Sequence, residues 1–190
     1  MRVIAGSHKG RRLLSPSTHD VRPTSGRVKE ALFSILGSQI SGATILDLFA
    51  GTGAIGIEAL SRGAAHVWFV ESHAASLQIL KANLHQCRLS QNTTIYPGES
   101  GAFLRHASHN GLVFDIVFAD PPYREDSTST LLPLLGQSAM IGPHTVVILE
   151  HPTKRQIPPH VGLLSQVRQY RYGDTSLSLF RLADEMASQT

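Results

Sequence analysis

The chain has one cysteine, Cys87, in 190 residues. A single thiol excludes an intramolecular disulfide framework, and its setting in a helical pattern favours packing over nucleophilic chemistry. Long apolar runs are missing too: none approaches the ~20 residues that a membrane-spanning helix needs, so no membrane partner is expected. The amino terminus, MRVIAGSHKGRR, offers only Val3 to Ala5 as an apolar segment. That is far short of a secretory signal, and a cytoplasmic location is expected. No internal repeat or low-complexity segment is present. Charged residues make up 16% and hydrophobic residues 42%, the balance of a globular protein with one well-filled core and a small appendage. Histidine is plentiful, at ten, yet His106 and His109 have no partner pair at zinc-like spacing. No catalytic metal is expected.

What the chain does have is an uneven charge. Residues 1–30 carry seven basic side chains against two acidic ones, although the whole chain has a net charge of only +3. A positive arm on a near-neutral body suits the gripping of phosphates beside a small-ligand site. Arg2 to Ala5 and Arg11 to Leu14 read as two short extended segments joined by the turn GSHKG. The helical pattern RPTSGRVKEALFSIL follows, with Val28, Leu32, Ile35 and Leu36 on one face and Thr24 or Ser25 as N-cap. Arg11, Arg12, Arg22, Thr24, Arg27 and Lys29 are therefore the candidate RNA contacts, helped by the helix amino terminus. The expected division is a basic hairpin arm over 1–24, a catalytic domain over 25–184 and a disordered tail over 185–190.

The body is organised around DLFAGTGAIGIEAL, residues 47–60. Thr44 to Leu48 suits a buried parallel strand, and Gly51, Gly53 and Gly56 follow at the spacing GxGxxG. Such glycines allow a tight turn, a close backbone approach to a ligand, and close packing of the next helix, which runs to about Arg62. The next strand, His66 to Val70, ends at Glu71, 20 residues beyond the first glycine, where an acid can accept hydrogen bonds from a ribose diol. NAD and S-adenosylmethionine (SAM) both carry such a ribose, so the spacing alone leaves the cofactor open.

Further along, a helix is expected from about His73 to Cys87 and a strand from Thr93 to Tyr96, after which Glu99 could reach an adenine rim. Phe114 to Ala119 reads as a buried strand running into Asp120, Pro121, Pro122 and Tyr123. A helix around Thr130 to Leu135, a strand from Val146 to Glu150, and a hairpin of Leu164 to Tyr172 with Ser176 to Leu182 complete the pattern. The expected fold is an α/β, doubly wound Rossmann-like sheet with an antiparallel carboxy-terminal edge and ligand sites at the strand ends.

DPPY decides between the cofactors. The exocyclic amine of a base is a poor nucleophile because its lone pair is delocalised into the ring. A carboxylate from Asp120 and the carbonyl of Pro121 would accept its two N–H bonds and favour a more tetrahedral nitrogen. Pro122 stiffens the turn, and Tyr123 offers a stacking face.

Together DLFAGTGAIGIEAL, FVE, FDIVFADPPY and RPTSGRVKEALF resemble the bacterial 16S rRNA guanine-N2 methyltransferase family known as RsmD, over nearly the whole chain. The resemblance implies a class I SAM-dependent methyltransferase that modifies the N2 amine of one guanine in 16S rRNA, within an assembled or assembling 30S subunit, and releases S-adenosylhomocysteine. It implies that Asp47, Phe49, Gly51, Gly53, Glu71 and Glu99 hold the cofactor and that Asp120 to Tyr123 form the catalytic loop. No DNA partner is expected, because so short a chain has little room for a DNA-reading domain. The competing readings are an NAD-dependent dehydrogenase, which leaves DPPY and the basic arm unexplained, and a non-catalytic RNA-binding module, which leaves the glycine turn unexplained. An amino-methyltransferase acting on another nucleic acid or a protein amide is the remaining alternative.

Overall fold

The computed structural model describes residues 1–16, 26–122 and 127–183, of which 127–130 are described in backbone only. The expected N-cap at Thr24 or Ser25, the contacts from Arg22 and Thr24, the side chain of Tyr123 and the tail at 185–190 lie outside the described residues. The chain divides between Phe103 and Leu104 into two compact units.

In the first unit, α1 (Gly26–Leu36) leads to β1 (Thr44–Asp47), α2 (Ala54–Ser61), β2 (His66–Glu71), α3 (Ala74–Cys87) and β3 (Thr93–Pro97). The strands lie parallel in the order β3-β2-β1, with Thr44 opposite His66 and Val67 opposite Thr93. Ile45, Leu46, Val67 and Phe69 are all buried, as near-continuous apolar runs in a parallel sheet require. A helix absent from the sequence reading, α4 (Ser100–His109), spans the point of division; the buried Phe103, Leu104 and Ala107 are its apolar signal.

The second unit holds β4 (Phe114–Ala119), α5 (Ser127–Gly136), β5 (Ile141–Pro152), β6 (His160–Val161), β7 (Leu164–Tyr172) and β8 (Thr175–Leu182). Its order is β4-β5-β8-β7-β6. β4 and β5 run parallel, with Ala119 opposite Leu149, and every later pairing is antiparallel. The fold class is therefore the expected α/β one, with parallel strands closed by an antiparallel edge. Strand β5 starts at Ile141 rather than Val146, because Gly142 and Pro143 hide its first residues from a pattern based on β-propensity. Among the described residues no helix is long and apolar enough to cross a membrane.

Residues 1–16 belong to the first unit. The expected hairpin is joined by a single antiparallel bridge between Arg2 and Arg12, and its backbone pairs Val3 with Arg11 at 3.0 Å and Leu13 with Met1 at 2.9 Å. Its Ile4 and Ala5 amides donate to the two carboxylate oxygens of Glu58 on α2, at 2.7 and 2.9 Å. Ser61 fastens the same edge: its hydroxyl donates to the Ala5 carbonyl at 2.6 Å and accepts the His8 amide at 2.9 Å. Gly6 fits there because it has no side chain. A Cβ at that position would sit 1.7 Å from the Ser61 carbonyl oxygen.

Glu58 is fully buried and also receives Lys29 at 3.1 Å and Arg62 at 2.9 Å. The Lys29 ammonium donates in addition to the Arg2 carbonyl at 2.8 Å. Two cations and two amides thus surround one carboxylate, which is how a buried charge is tolerated. Burial alone would raise the pKa of Glu58, but the Ile4 amide and Lys29, with Arg62, outweigh it and hold the carboxyl below its ordinary 4.5.

Glu58→Gln is expected to lower stability by about 3–5 kcal/mol at neutral pH, because Lys29 is left buried without its counter-charge. A carboxyl with a lowered folded pKa stabilises above its unfolded value and loses that contribution as pH falls through the folded value. The stability gap between wild type and the variant should therefore narrow as pH drops below 4.5. Urea unfolding across that range measures it, and a gap constant into acid would count against the carboxylate's role.

Candidate active site and cofactor cradle

The first unit brings three acidic residues to the carboxyl ends of adjacent parallel strands. Asp47 closes β1, Glu71 closes β2, and Glu99 lies two residues past the end of β3. Between the first two runs the glycine turn, with Gly51 and Gly53 both at positive φ, 54° and 83°. The turn lies across the end of β2, where the Ala50 amide donates to the Val70 carbonyl at 3.0 Å.

Glu71 is fixed by backbone amides. Gly51 donates to one of its oxygens and His73 to the other, each at 2.7 Å. A carboxylate has about four acceptor positions, so two such bonds orient it and leave capacity for a ligand hydroxyl pair. Glu71 is half-buried, Phe49 is half-buried beside the turn, and Glu99 is exposed. Asp47 differs, at 1% exposure, with one oxygen accepting the Gly56 amide at 3.2 Å. Its placement suits holding the turn and the start of α2.

Gly56 carries the third glycine's part. A Cβ there would come 2.2 Å from the Phe69 ring and 2.8 Å from Val67, so its absence lets α2 lie against β2. Beside Gly51, in contrast, a Cβ would meet nothing within 4 Å. The space next to the turn is open, and an adenosyl ribose could approach it. The residues present fit such a group.

In the second unit Asp120 follows the last residue of the buried strand FDIVFA and is half-buried; Pro121 is buried and Pro122 exposed. Asp120 thus stands at the carboxyl end of a parallel strand, where doubly wound folds place their ligands. Among the described residues no group of three or more His, Cys, Asp or Glu is placed to hold a metal.

The residues proposed for RNA divide. Arg11, Arg12 and Arg27 are exposed, and Arg11 also donates to the Gln86 carbonyl at the end of α3. Lys29 must be withdrawn from the set: it is 1% exposed and committed to Glu58 and the Arg2 carbonyl. Its sequence signal was available, since Lys29, Leu32, Phe33 and Leu36 form an i, i+3, i+4, i+7 stripe, and all four are buried. Two residues that sequence reasoning passed over carry much of the polar wiring of this unit: Glu58 ties the hairpin to α1 and α2, and Asn83 reaches the Thr52 carbonyl in the turn.

The family model "Conserved hypothetical protein 95" matches residues 1–181. The chain belongs to that family. It is the RsmD family of the sequence resemblance, and its named members agree with that. YlbH of Bacillus subtilis, named as a candidate rRNA methyltransferase, is 36% identical over 95% of this chain and 98% of its own. Ribosomal RNA small subunit methyltransferase D of Escherichia coli strain K12 is 32% identical over 95% of this chain and 89% of its own. Among solved structures, the Escherichia coli protein yhhF, named as a candidate methyltransferase, superposes with a TM-score of 0.84 at 32% identity. That match covers 96% of this RsmD-family chain and 97% of the other.

Proposed function

We propose that this RsmD-family protein transfers a methyl group from SAM to the exocyclic N2 amine of a guanine in 16S rRNA of the small ribosomal subunit. The names of its relatives support rRNA methylation as the general activity. The single observation that carries the finer reading is Asp120, with Pro121 and Pro122 after it, at the carboxyl end of β4.

SAM supplies an activated methyl on a positive sulfonium. The glycine turn holds the adenosyl end, with the preoriented Glu71 carboxylate accepting from the ribose diol. Asp47 keeps the turn in shape, Phe49 covers its flank, and Glu99 takes the adenine side. Asp120 and the Pro121 carbonyl accept the two amine N–H bonds, so the nitrogen lone pair turns out of conjugation. With SAM bound, the lone pair so exposed would be free to take up the activated methyl, and the cofactor would leave as neutral S-adenosylhomocysteine. The surplus amine proton passes to the Asp120 carboxylate and from there to water. Positioning supplies much of the rate, because the methyl is already activated. Tyr123 stacks on the base.

The amino-terminal arm grips the phosphate backbone through Arg11, Arg12, Arg22, Thr24 and Arg27. Support for this comes from the exposure of Arg11, Arg12 and Arg27 and the basic excess in residues 1–30. Arg2 and Arg12 also line a shallow depression with Met1 and Leu13.

The deciding experiment incubates the protein and labelled SAM with undermethylated small subunits and with free 16S rRNA, then maps the modified nucleotide. Label on a guanine N2 is the expected outcome; label elsewhere, or none, would overturn the assignment. Calorimetry should find SAM or S-adenosylhomocysteine binding and no tight NAD binding. Glu71→Ala is expected to weaken that binding by about 1–3 kcal/mol, the scale for unpairing buried donors. Asp120→Ala should abolish turnover while cofactor affinity stays within a few fold, and substantial residual activity would remove Asp120 from the chemistry. Arg12→Ala and Arg27→Ala should each weaken RNA binding and lower the salt slope by up to about one unit, read from binding isotherms over a salt series.

A further inference from the structure

The polar side chain most deeply committed near the glycine turn is Asn83 on α3, with no exposed surface. Its amide oxygen accepts the Leu14 amide at 2.7 Å. Its amide nitrogen donates to the Leu14 carbonyl at 3.1 Å and to the Thr52 carbonyl at 2.9 Å. Both donors and the acceptor are thus engaged, and they join the segment after the hairpin to the middle residue of the GTG turn.

We infer that Asn83 is a positioning residue for the cofactor turn, and that through it the Leu14 segment and the turn respond together to the cofactor. The inference rests on the reading that this turn holds SAM. The peptide between Thr52 and Gly53 has its carbonyl tied to Asn83 and its N–H donated to the Ala50 carbonyl at 2.8 Å, so its orientation is set from both sides. Leu80, one turn earlier on α3, packs where a Cβ of Gly53 would be, 2.3 Å from its terminal carbon. One helix therefore shapes the turn by an apolar contact and a polar one. The polar contact is bidentate toward Leu14, two residues beyond the exposed Arg12. A ligand that steadies the turn steadies the Thr52 carbonyl, hence the Asn83 amide, hence the Leu14 backbone. Ordering shared in this way couples two sites without a large displacement.

Amide hydrogen exchange on the full chain, with and without S-adenosylhomocysteine, tests the link. Slowed exchange at residues 51–56 and at the Leu14 amide together is expected. Slowing at the turn with Leu14 unchanged would overturn the inference while leaving the cofactor reading intact. Binding without any slowing at 51–56 would overturn the cofactor reading of the turn, and the inference with it. Asn83→Asp keeps an acceptor for the Leu14 amide but removes both donors, and its S-adenosylhomocysteine affinity should fall roughly tenfold with the Leu14 response lost. A folded variant, by its melting curve, that binds as tightly as wild type would sink the proposal. If that variant fails to fold, the exchange comparison on the wild type still decides.

Discussion

The buried carboxylate of Glu58 is the point to which the first unit is tied. It takes two amides from the hairpin, an ammonium from α1 and the guanidinium of Arg62, just past the end of its own helix α2. An ion so deeply buried is tolerated only when its acceptor positions are filled, and the four donors fill them. The consequence is geometric: the hairpin, α1 and α2 are held to one another through a single side chain. Helix α2 starts directly after Gly53, so the backbone that leaves the glycine turn is also the backbone that carries Glu58. Arg62 serves both this cluster and the packing of α1, with its guanidinium 4.6 Å from the centre of the Phe33 ring.

The cradle uses acids in two ways that the strand ends make possible. Asp47, almost fully buried, turns inward to the Gly56 amide, whereas Glu71, two residues further along its own strand than Asp47 is on β1, stays half-exposed. The register sets that difference, because Asp47 stands opposite Phe69 and Glu71 projects beyond it. Backbone amides from Gly51 and His73 then fix the Glu71 carboxylate in one orientation. Under the proposed function, that preorientation lowers the ordering cost of accepting a ribose diol. In the second unit Asp120 follows the same rule of placement, at the end of a strand whose side chains are mostly buried.

The basic arm is more than a charged surface. Seven basic residues in the first 30 suggest phosphate contacts, but they do not share one fate. Lys29 is spent on Glu58. Arg11 spends one of its N–H groups on the end of α3, and His8 places its ring 3.0 Å from the Cys87 carbonyl there. Unpaired carbonyls at a helix end attract such donors. Arg12 and Arg27 keep their exposure. A cluster of charge in the sequence therefore contains both the residues that build the platform and those that face solvent from it.

The sequence by itself determined most of the strand and helix order, though not α4 or the short β6, together with the glycine turn, the acid 20 residues beyond it, and the strand that runs into Asp120. Each depends on local signals: apolar periodicity, glycine spacing, and the punctuation of proline. It also carried the family, because the motifs lie in fixed order along nearly the whole chain. Only the tertiary structure decided that Lys29 is a buried counter-ion, that Asp47 turns inward, and that Asn83 spans from Leu14 to Thr52 across 69 and 31 residues of chain. The physical reason is common to all three. A polar side chain has no preferred partner in sequence, and its role is set by which backbone groups the packing of helices and strands leaves in need of a hydrogen bond.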